Sequence, residues 1–247
     1  CYLLFRSLGK KVGLLSTVKN QINNEVIPAT HTTPDAVEIN RILAEMVEKG
    51  CKYCFMEVSS HAIHQNRIFG LSIVGAIFTN ISHDHLDYHK TFDDYILAKK
   101  QLFDHLGPDA FALVNKDDRH GQNMLHHCDA KQYTFALKSM ADFKAKILES
   151  QFDGQLIIIN GKEVWSKIIG EFNAYNLLAI YAATILLGED ELQALTSLSA
   201  LKSAEGRFDV VNSDSGVIGI IDYAHTPDAL EQALRALRPH VSGNLLT

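Results

Sequence analysis

Strand-length apolar runs take turns with helix-length amphipathic ones along most of this chain, and that alternation is what most constrains its fold. KKVGLLST leads to PDAVEINRILAEMVEKG, then CKYCFMEV, LSIVGAIFTN, TFDDYILAKKQLFDHLG and DAFALVN. Strands separated by helical patterns predict an α/β fold with a mostly parallel sheet flanked by helices. Between about residues 141 and 170 the pattern changes to short strands, FKAKILES, QLIIING and KEVWSKIIG, with DG and NG turn signals, which predicts a small antiparallel sheet. Two helices follow, in EFNAYNLLAIYAATILLG and EDELQALTSLSAL. After EGRFDVV, a strand in GVIGIID and a helix in PDALEQALRAL begin a second, Rossmann-like α/β unit. The expected division is 1–204 and 205–247, with a boundary near Glu205.

Charge and hydropathy narrow the partners. The net charge is −6, and the 23 Lys and Arg are spread thinly, so no basic face exists to hold a nucleic-acid backbone. The longest apolar run, Leu177 to Leu187, falls short of the roughly 20 residues of a membrane helix. With no signal peptide at its start, the chain reads as a cytoplasmic protein that does not enter membranes. Four cysteines fall at positions 1, 51, 54 and 128. The pair in CKYC has redox or zinc spacing, but it begins an apolar strand and lacks a second ligand pair, so buried, reduced thiols are expected.

In open parallel sheets, ligands bind beyond the carboxyl ends of the strands. Polar clusters recur there: Glu57 with Ser59, Ser60 and His61; Asn80 running into HDHLDYH; and Asp222 followed by AHTPD. The plain alternatives are that Glu57 caps the next helix and that Asp84 or Asp87 caps a turn. The helix after the histidines carries apolar positions Phe92, Tyr95, Ile96, Leu102, Phe103 and Leu106, and Lys99 fills the missing step. A lysine on that face must be compensated, lose its proton or snorkel, whereas Asp93, Asp94, Lys100 and Gln101 read as solvated surface. HDHLDYH nearly matches the H-x-H-x-D-H of di-zinc hydrolases, but Tyr88 displaces the last histidine, which ranks a metal-dependent hydrolase low. A hard cation such as Mg²⁺, held by few protein ligands plus phosphate, suits Glu57 better. The chain has no G-x-x-x-x-G-K-[ST], and LGKK at Leu8 to Lys11 leads into a strand and not a helix.

HTTPDAVEI, MEVSSHAIHQNRI, FTNISHDHLDYHKTFDDYILAKKQLF, GEFNAYNLLAI, GRFDVV and DYAHTPDALE, in this order, resemble the Mur ligases. Within that family, DHLDYH with DYAHTPD is most similar to the enzymes that add the third amino acid of the peptidoglycan stem peptide. Folylpolyglutamate synthetases, other Mur ligases and a non-catalytic α/β module remain as alternatives. The resemblance implies an ATP-dependent carbon–nitrogen ligase joining lysine or meso-diaminopimelate to UDP-MurNAc-L-Ala-D-Glu through an acyl phosphate. It would be a monomer serving cell-wall synthesis and hence cell shape and division. It further implies that Glu57, His85 and Lys99 form the catalytic metal site, for as many as two Mg²⁺ ions, with Lys99 carboxylated by carbon dioxide. Thr32, Thr33, Ser59, Gln65 and Arg67 match positions that hold the UDP-MurNAc-peptide. Asn173, Asn176, Arg207, Asp222 and His225 match positions on the nucleotide side. Asn80, Asp84 and Asp87 would shape the loop, and His83 and His89 would lie on the surface. By the same resemblance, the phosphate loop, an N-terminal uridine-binding domain and most of the C-terminal domain lie outside these residues, and the fragment alone would be inactive.

Overall fold

A computed structural model describes residues 1–29, 31–204, 206–213, 217–241 and 243–247. The boundary expected near Glu205 falls on a residue outside those described. The chain divides into two compact units, one of Cys1–Val114 with Asp118–Tyr133 and the other of Asn115–Asp117 with Thr134–Thr247.

The first unit opens with α1 (Tyr2–Ser7) and β1 (Val12–Leu15), followed by the hairpin strands β2 (Lys19–Ile22) and β3 (Glu25–Pro28). Then come α2 (Ala36–Glu48), β4 (Tyr53–Met56), α3 (Ser60–His64), β5 (Gly75–Phe78), α4 (Leu86–His89), α5 (Phe92–Asp104), β6 (Phe111–Asn115) and α6 (Gly121–Leu125). Among the described residues, one sheet has the order β3-β2-β1-β4, with β1 parallel to β4 and antiparallel to β2. A second parallel pair joins β5 to β6 from Gly75 opposite Phe111 to Phe78 opposite Val114. The parallel pairs agree with the expectation from the alternation.

Asp35 starts α2 by accepting the Val37 and Glu38 amides at 2.9 Å each, which satisfies donors that a helix N-terminus leaves open. The helix then buries Ile39, Ile42 and Met46 against Leu15 and Ile22 of the sheet. The fit is close: a Cβ on Gly13 of β1 would run into the Met46 side chain. On the other face of β4, Phe5 meets Tyr53 and Phe55 edge-on at 4.8 and 4.9 Å. A separate core forms where α5 and α6 lay Ile96, Phe103, Met124 and Leu125 on Ala76, Phe78, Ala112 and Val114.

The cysteines depart from expectation. All four are free, and Cys128 is buried, but Cys51 is half-buried and Cys54 exposed. Side chains alternate along a strand; Tyr53 and Phe55 take the face under α1, and Cys54 falls on the opposite face, where nothing covers it fully.

The second unit contains the second half of β7 (Lys131–Ala136), then β8 (Phe143–Gln151), β9 (Gly154–Ile159) and β10 (Lys162–Ser166). β8, β9 and β10 form the expected antiparallel meander, with a register shift between Ile147 and Glu149. Next come α7 (Glu171–Leu186), α8 (Glu191–Ala200), β11 (Asp209–Asn212), β12 (Ile218–Ile221) and α9 (Pro227–Leu237). β11 and β12 pair antiparallel. α7 is apolar around most of its circumference and buries Ala174, Leu177, Leu178, Tyr181 and Ala182. Ile169, Phe208, Ala233 and Leu237 make a smaller core under α9. Among the described residues no helix is long and apolar enough to cross a membrane.

Candidate functional site

The exit of β4 carries the densest polar network of the first unit. Glu57 Oε2 accepts from the Thr17 amide at 2.8 Å and the Thr17 hydroxyl at 2.7 Å. Thr17 follows β1, so the two parallel strand ends are tied to each other beyond their carboxyl termini. The Thr32 hydroxyl lies 3.1 Å from that of Thr17, and buried Thr33 donates to the Glu57 carbonyl at 2.9 Å while accepting the Ser59 amide at 3.0 Å. Glu57 does not cap the helix that follows. Ser59 does, its hydroxyl accepting the Ala62 amide at 3.2 Å, because the N-cap position falls two residues beyond Glu57 and needs a short side chain.

Arg67 closes this network. One guanidinium nitrogen donates to the Thr33 carbonyl at 2.7 Å, and two others grip Gln65 Oε1 at 2.9 and 2.6 Å. Gln65 donates in turn to the Tyr88 hydroxyl at 3.1 Å, which also lies 3.0 Å from His64 Nδ1. Thr32, Thr33, Ser59, Gln65 and Arg67, all expected from the resemblance, are therefore joined with Glu57 in one hydrogen-bonded network. Thr17 and Tyr88 belong to it as well and were not anticipated. Thr17 gave no signal beyond following a strand, and Tyr88 was visible only as the residue that spoiled a zinc motif.

The histidine segment continues from Tyr88. His85 stands at the N-terminus of α4 with φ 55°, its amide donating to Asp84 at 2.8 Å. Asp84 thus shapes the loop as expected. The His85 ring meets His61 edge-on at 5.0 Å and Tyr95 at 5.8 Å. Lys99 Nζ lies 5.0 Å from the Tyr95 ring centre, so His85 and Lys99 converge on one aromatic platform. Lys99 is half-buried; burial pushes its ammonium pKa down, with the Asp84 carboxylate opposing. Burial, followed by the nearby His85, likewise lowers the His61 imidazole, Asp87 opposing. His83 is exposed and stacked on Phe92 at 4.3 Å.

Two surface assignments are corrected. His89 is 6% exposed, with its Nε2 2.9 Å from the Ser60 hydroxyl, because α4 turns its last residue under α3. Lys100 has a side chain only 14% exposed and pairs with Asp104 one turn on, against a groove that it lines with Ile96, Leu97 and Gln132.

The nucleotide-side candidates all lie in the second unit. Asn173 donates to the Ile169 carbonyl at 2.8 Å, and Asn176, one turn along α7, donates to Asn173 at 3.3 Å. Asp222 accepts the Phe208 amide and the Ala224 amide at 2.7 Å each, fixing the end of β12 to the turn that carries Arg207. Arg207 is exposed and lies over the Tyr223 ring at 5.0 Å, while His225 Nδ1 is 2.9 Å from the Tyr223 carbonyl oxygen. The Asp222 strand end thus belongs to a different compact unit from Glu57 and the histidines.

Among the described residues, no three His, Cys, Asp or Glu side chains gather closely enough to cage a metal. Mg²⁺ asks for less, since it keeps several waters and takes one or two carboxylates plus phosphate oxygens. Glu57, exposed and already oriented through Oε2, supplies such a carboxylate. Lys99 as an ammonium would repel the ion, and burial lowers its pKa toward the neutral amine, with Asp84 opposing. On donor chemistry the residues fit a sparsely held hard cation.

Comparison with known proteins agrees with this layout. Residues 1–184 match the Mur ligase middle domain and residues 206–247 the Mur ligase glutamate ligase domain. The UDP-N-acetylmuramoyl-L-alanyl-D-glutamate–2,6-diaminopimelate ligase of Cytophaga hutchinsonii is 53% identical over 96% of this chain and 49% of its own length. That of Parabacteroides distasonis is 53% identical over 98% of this chain and 50% of its own length. A solved structure of a ligase of the same name superimposes with a TM-score of 0.84 at 32% identity, covering 97% of this chain and 50% of that one. The chain spans about half the length of the curated relatives it matches. A polar network at parallel strand exits, a half-buried lysine beside a histidine loop, and matches to both domains lead to one conclusion: the chain belongs to the Mur ligase family.

Proposed function

We propose that this chain forms the middle domain and the start of the C-terminal domain of an ATP-dependent ligase that joins diaminopimelate to UDP-MurNAc-L-Ala-D-Glu. The supporting observation is the hydrogen-bonded surface from Thr17 through Glu57, Thr33 and Arg67 to Tyr88, in a chain 53% identical to ligases named for that reaction. Thr32, Thr33, Ser59, Gln65 and Arg67 hold the UDP-MurNAc-peptide, and their bonds to one another keep the surface rigid before it binds. Asn173, Asn176, Arg207, Asp222 and His225 serve the nucleotide, with Asp222 holding Arg207 in place through backbone amides.

The reaction makes an acyl phosphate from the dipeptide carboxylate and the γ-phosphate of ATP, after which the amine of the amino acid displaces phosphate. Negative charge on phosphoryl oxygens dominates both steps, so catalysis rests on positioning and electrostatics. Glu57, His85 and Lys99 would hold Mg²⁺, which neutralises part of that charge. Neutral Lys99 adds to carbon dioxide and releases a proton, so a cation becomes a carbamate anion. Burial favours the neutral amine that this addition needs.

Calorimetric titration with UDP-MurNAc-L-Ala-D-Glu tests the substrate surface. Arg67→Ala should weaken binding by about ten-fold or more, since a charge-assisted contact is worth about 1.5–3 kcal/mol. Unchanged affinity would remove Arg67 and its neighbours from the substrate site. Turnover of diaminopimelate, lysine and glutamate by the full-length protein then decides the amino acid.

A further inference from the structure

The four-residue helix α4 cannot hold itself in place. A single turn is far below the length at which helices are stable alone, and both flanks carry non-glycine residues in left-handed conformations, His85 at φ 55° and Lys90 at φ 64°. Each such conformation is strained and persists only where the surroundings over-determine it. Leu86 at 38% exposure is no anchor, and the sole residue of α4 that is buried is His89.

His89 makes the connections that the turn needs. Its amide donates to the His85 carbonyl at 3.0 Å. Its Nε2 lies 2.9 Å from the Ser60 hydroxyl, Ser60 being 1% exposed and the first residue of α3, three positions after Glu57. Its ring stacks on Tyr95 at 5.3 Å and 29°, and Tyr95 in turn touches both the His85 ring and Lys99. It also meets the edges of His61 and Tyr88 at 5.6 and 4.9 Å. The β4 exit, the His85 turn and the Lys99 helix thus share one buried imidazole. An apolar residue would fill the space but leave the Ser60 hydroxyl, which is nearly inaccessible to water, without its partner.

We propose that His89 is a positioning residue: through its buried hydrogen bond to Ser60 and its stack on Tyr95, it fixes His85 and the α4 turn against the strand exit that carries Glu57. The inference rests on the ligase reading only for its purpose, not for its test. Amide hydrogen exchange and the His85 ring resonance are measured on the 247-residue chain without substrate, in wild type, His89→Leu, His89→Gln and Ser60→Ala. A glutamine amide reaches roughly where Nε2 does and can keep the bond to Ser60. Expected are exchange at least about ten-fold faster across residues 83–91 in His89→Leu and Ser60→Ala, unchanged exchange in β6, and a shifted His85 resonance, with both readouts largely restored in His89→Gln. Equal acceleration throughout the first unit, no local change, or failure of His89→Gln to restore either readout would overturn the proposal. Absence of ligation by the full-length protein would count against the proposed reaction and leave these readouts decisive for His89.

Discussion

At the scale of single residues, Glu57 and Asp117 show how the same side-chain chemistry takes different work. Glu57 is exposed with two donors from Thr17 on one oxygen, so Thr17→Val should loosen the carboxylate at a modest stability cost of about 1 kcal/mol. Urea unfolding checks the cost, and a Mg²⁺ titration of the full-length protein should show weaker dependence on the ion. Asp117 is structural. Burial would raise its carboxyl, but bonds from Ser139, Lys138, Tyr175 and Leu137 outweigh that and hold it well below the usual carboxylate range. A depressed folded pKa gives stability that is fully present above the unfolded value and disappears as pH falls through the folded one. Asp117→Asn should therefore cost about 2 kcal/mol near neutrality, and the gap to wild type should close as pH falls below about 4. Denaturant midpoints between pH 7 and 2 check this. For Lys99, exchange to alanine in the full-length enzyme should lower turnover by about 10² or more, with partial return on adding a small carboxylate. Intact mass should show the carbon dioxide adduct in wild type only. Full activity without added carboxylate would exclude the carbamate.

At the scale of elements, the close approach of α2 to β1 sets a sharp test. Gly13→Ala drives a methyl group into Met46 and should cost about 1–3 kcal/mol. In a Met46→Ala background the same exchange should cost much less, and urea unfolding of the four proteins measures the coupling. Much at this scale was legible in the sequence. The strands and helices that bury one face carry clear periodicity, and α2, α5, α7, α8 and α9 lie where the pattern puts them. The β2–β3 hairpin was not legible. β3 has three of its four residues exposed, so it lacks the alternation that burial imposes, and its Asn23-Asn24 turn is a weaker hairpin signal than Asn-Gly. The helices α4 and α6 were missed, and the extent of α3 was not legible, for a related reason: at four or five residues each they are too short to show a period, and their positions come from tertiary contacts.

At the scale of the whole molecule, the order of motifs carried the family while distances between side chains could not be read. Glu57, Thr33, Ser59, Gln65 and Arg67 could be singled out because each lies in a recognisable stretch, and the structure joins them by hydrogen bonds. His89 was misplaced because burial of a polar ring depends on Ser60, 29 positions away. The division into units also runs against simple sequence order, since Asn115–Asp117 belongs with Thr134–Thr247. A piece covering 115–247 should accordingly be more stable than one covering 134–247, which keeps the four donors but lacks the Asp117 carboxylate that they bind. Losing those bonds should lower stability by at least about 2 kcal/mol, measurable as a shift in thermal midpoint. For the chain as a whole, the 247 residues contain no G-x-x-x-x-G-K-[ST] sequence of the kind that cradles phosphates. On their own they should give no ATP-dependent amide formation, and detectable product from the purified piece would refute that.

The tie between Thr17 and Glu57 has a thermodynamic consequence. A glutamate side chain left free loses rotational freedom when it captures an ion, and that loss subtracts from affinity. Here both donors come from the end of a neighbouring strand in the same sheet, so the side chain is ordered when the sheet forms, and an ion held as proposed would meet an oxygen already in place. Freezing of the carboxylate then belongs to the free energy of folding. Thr17→Val removes the hydroxyl and keeps the amide, so it would move part of that cost to the moment of binding, and calorimetry should show that as a less favourable binding entropy.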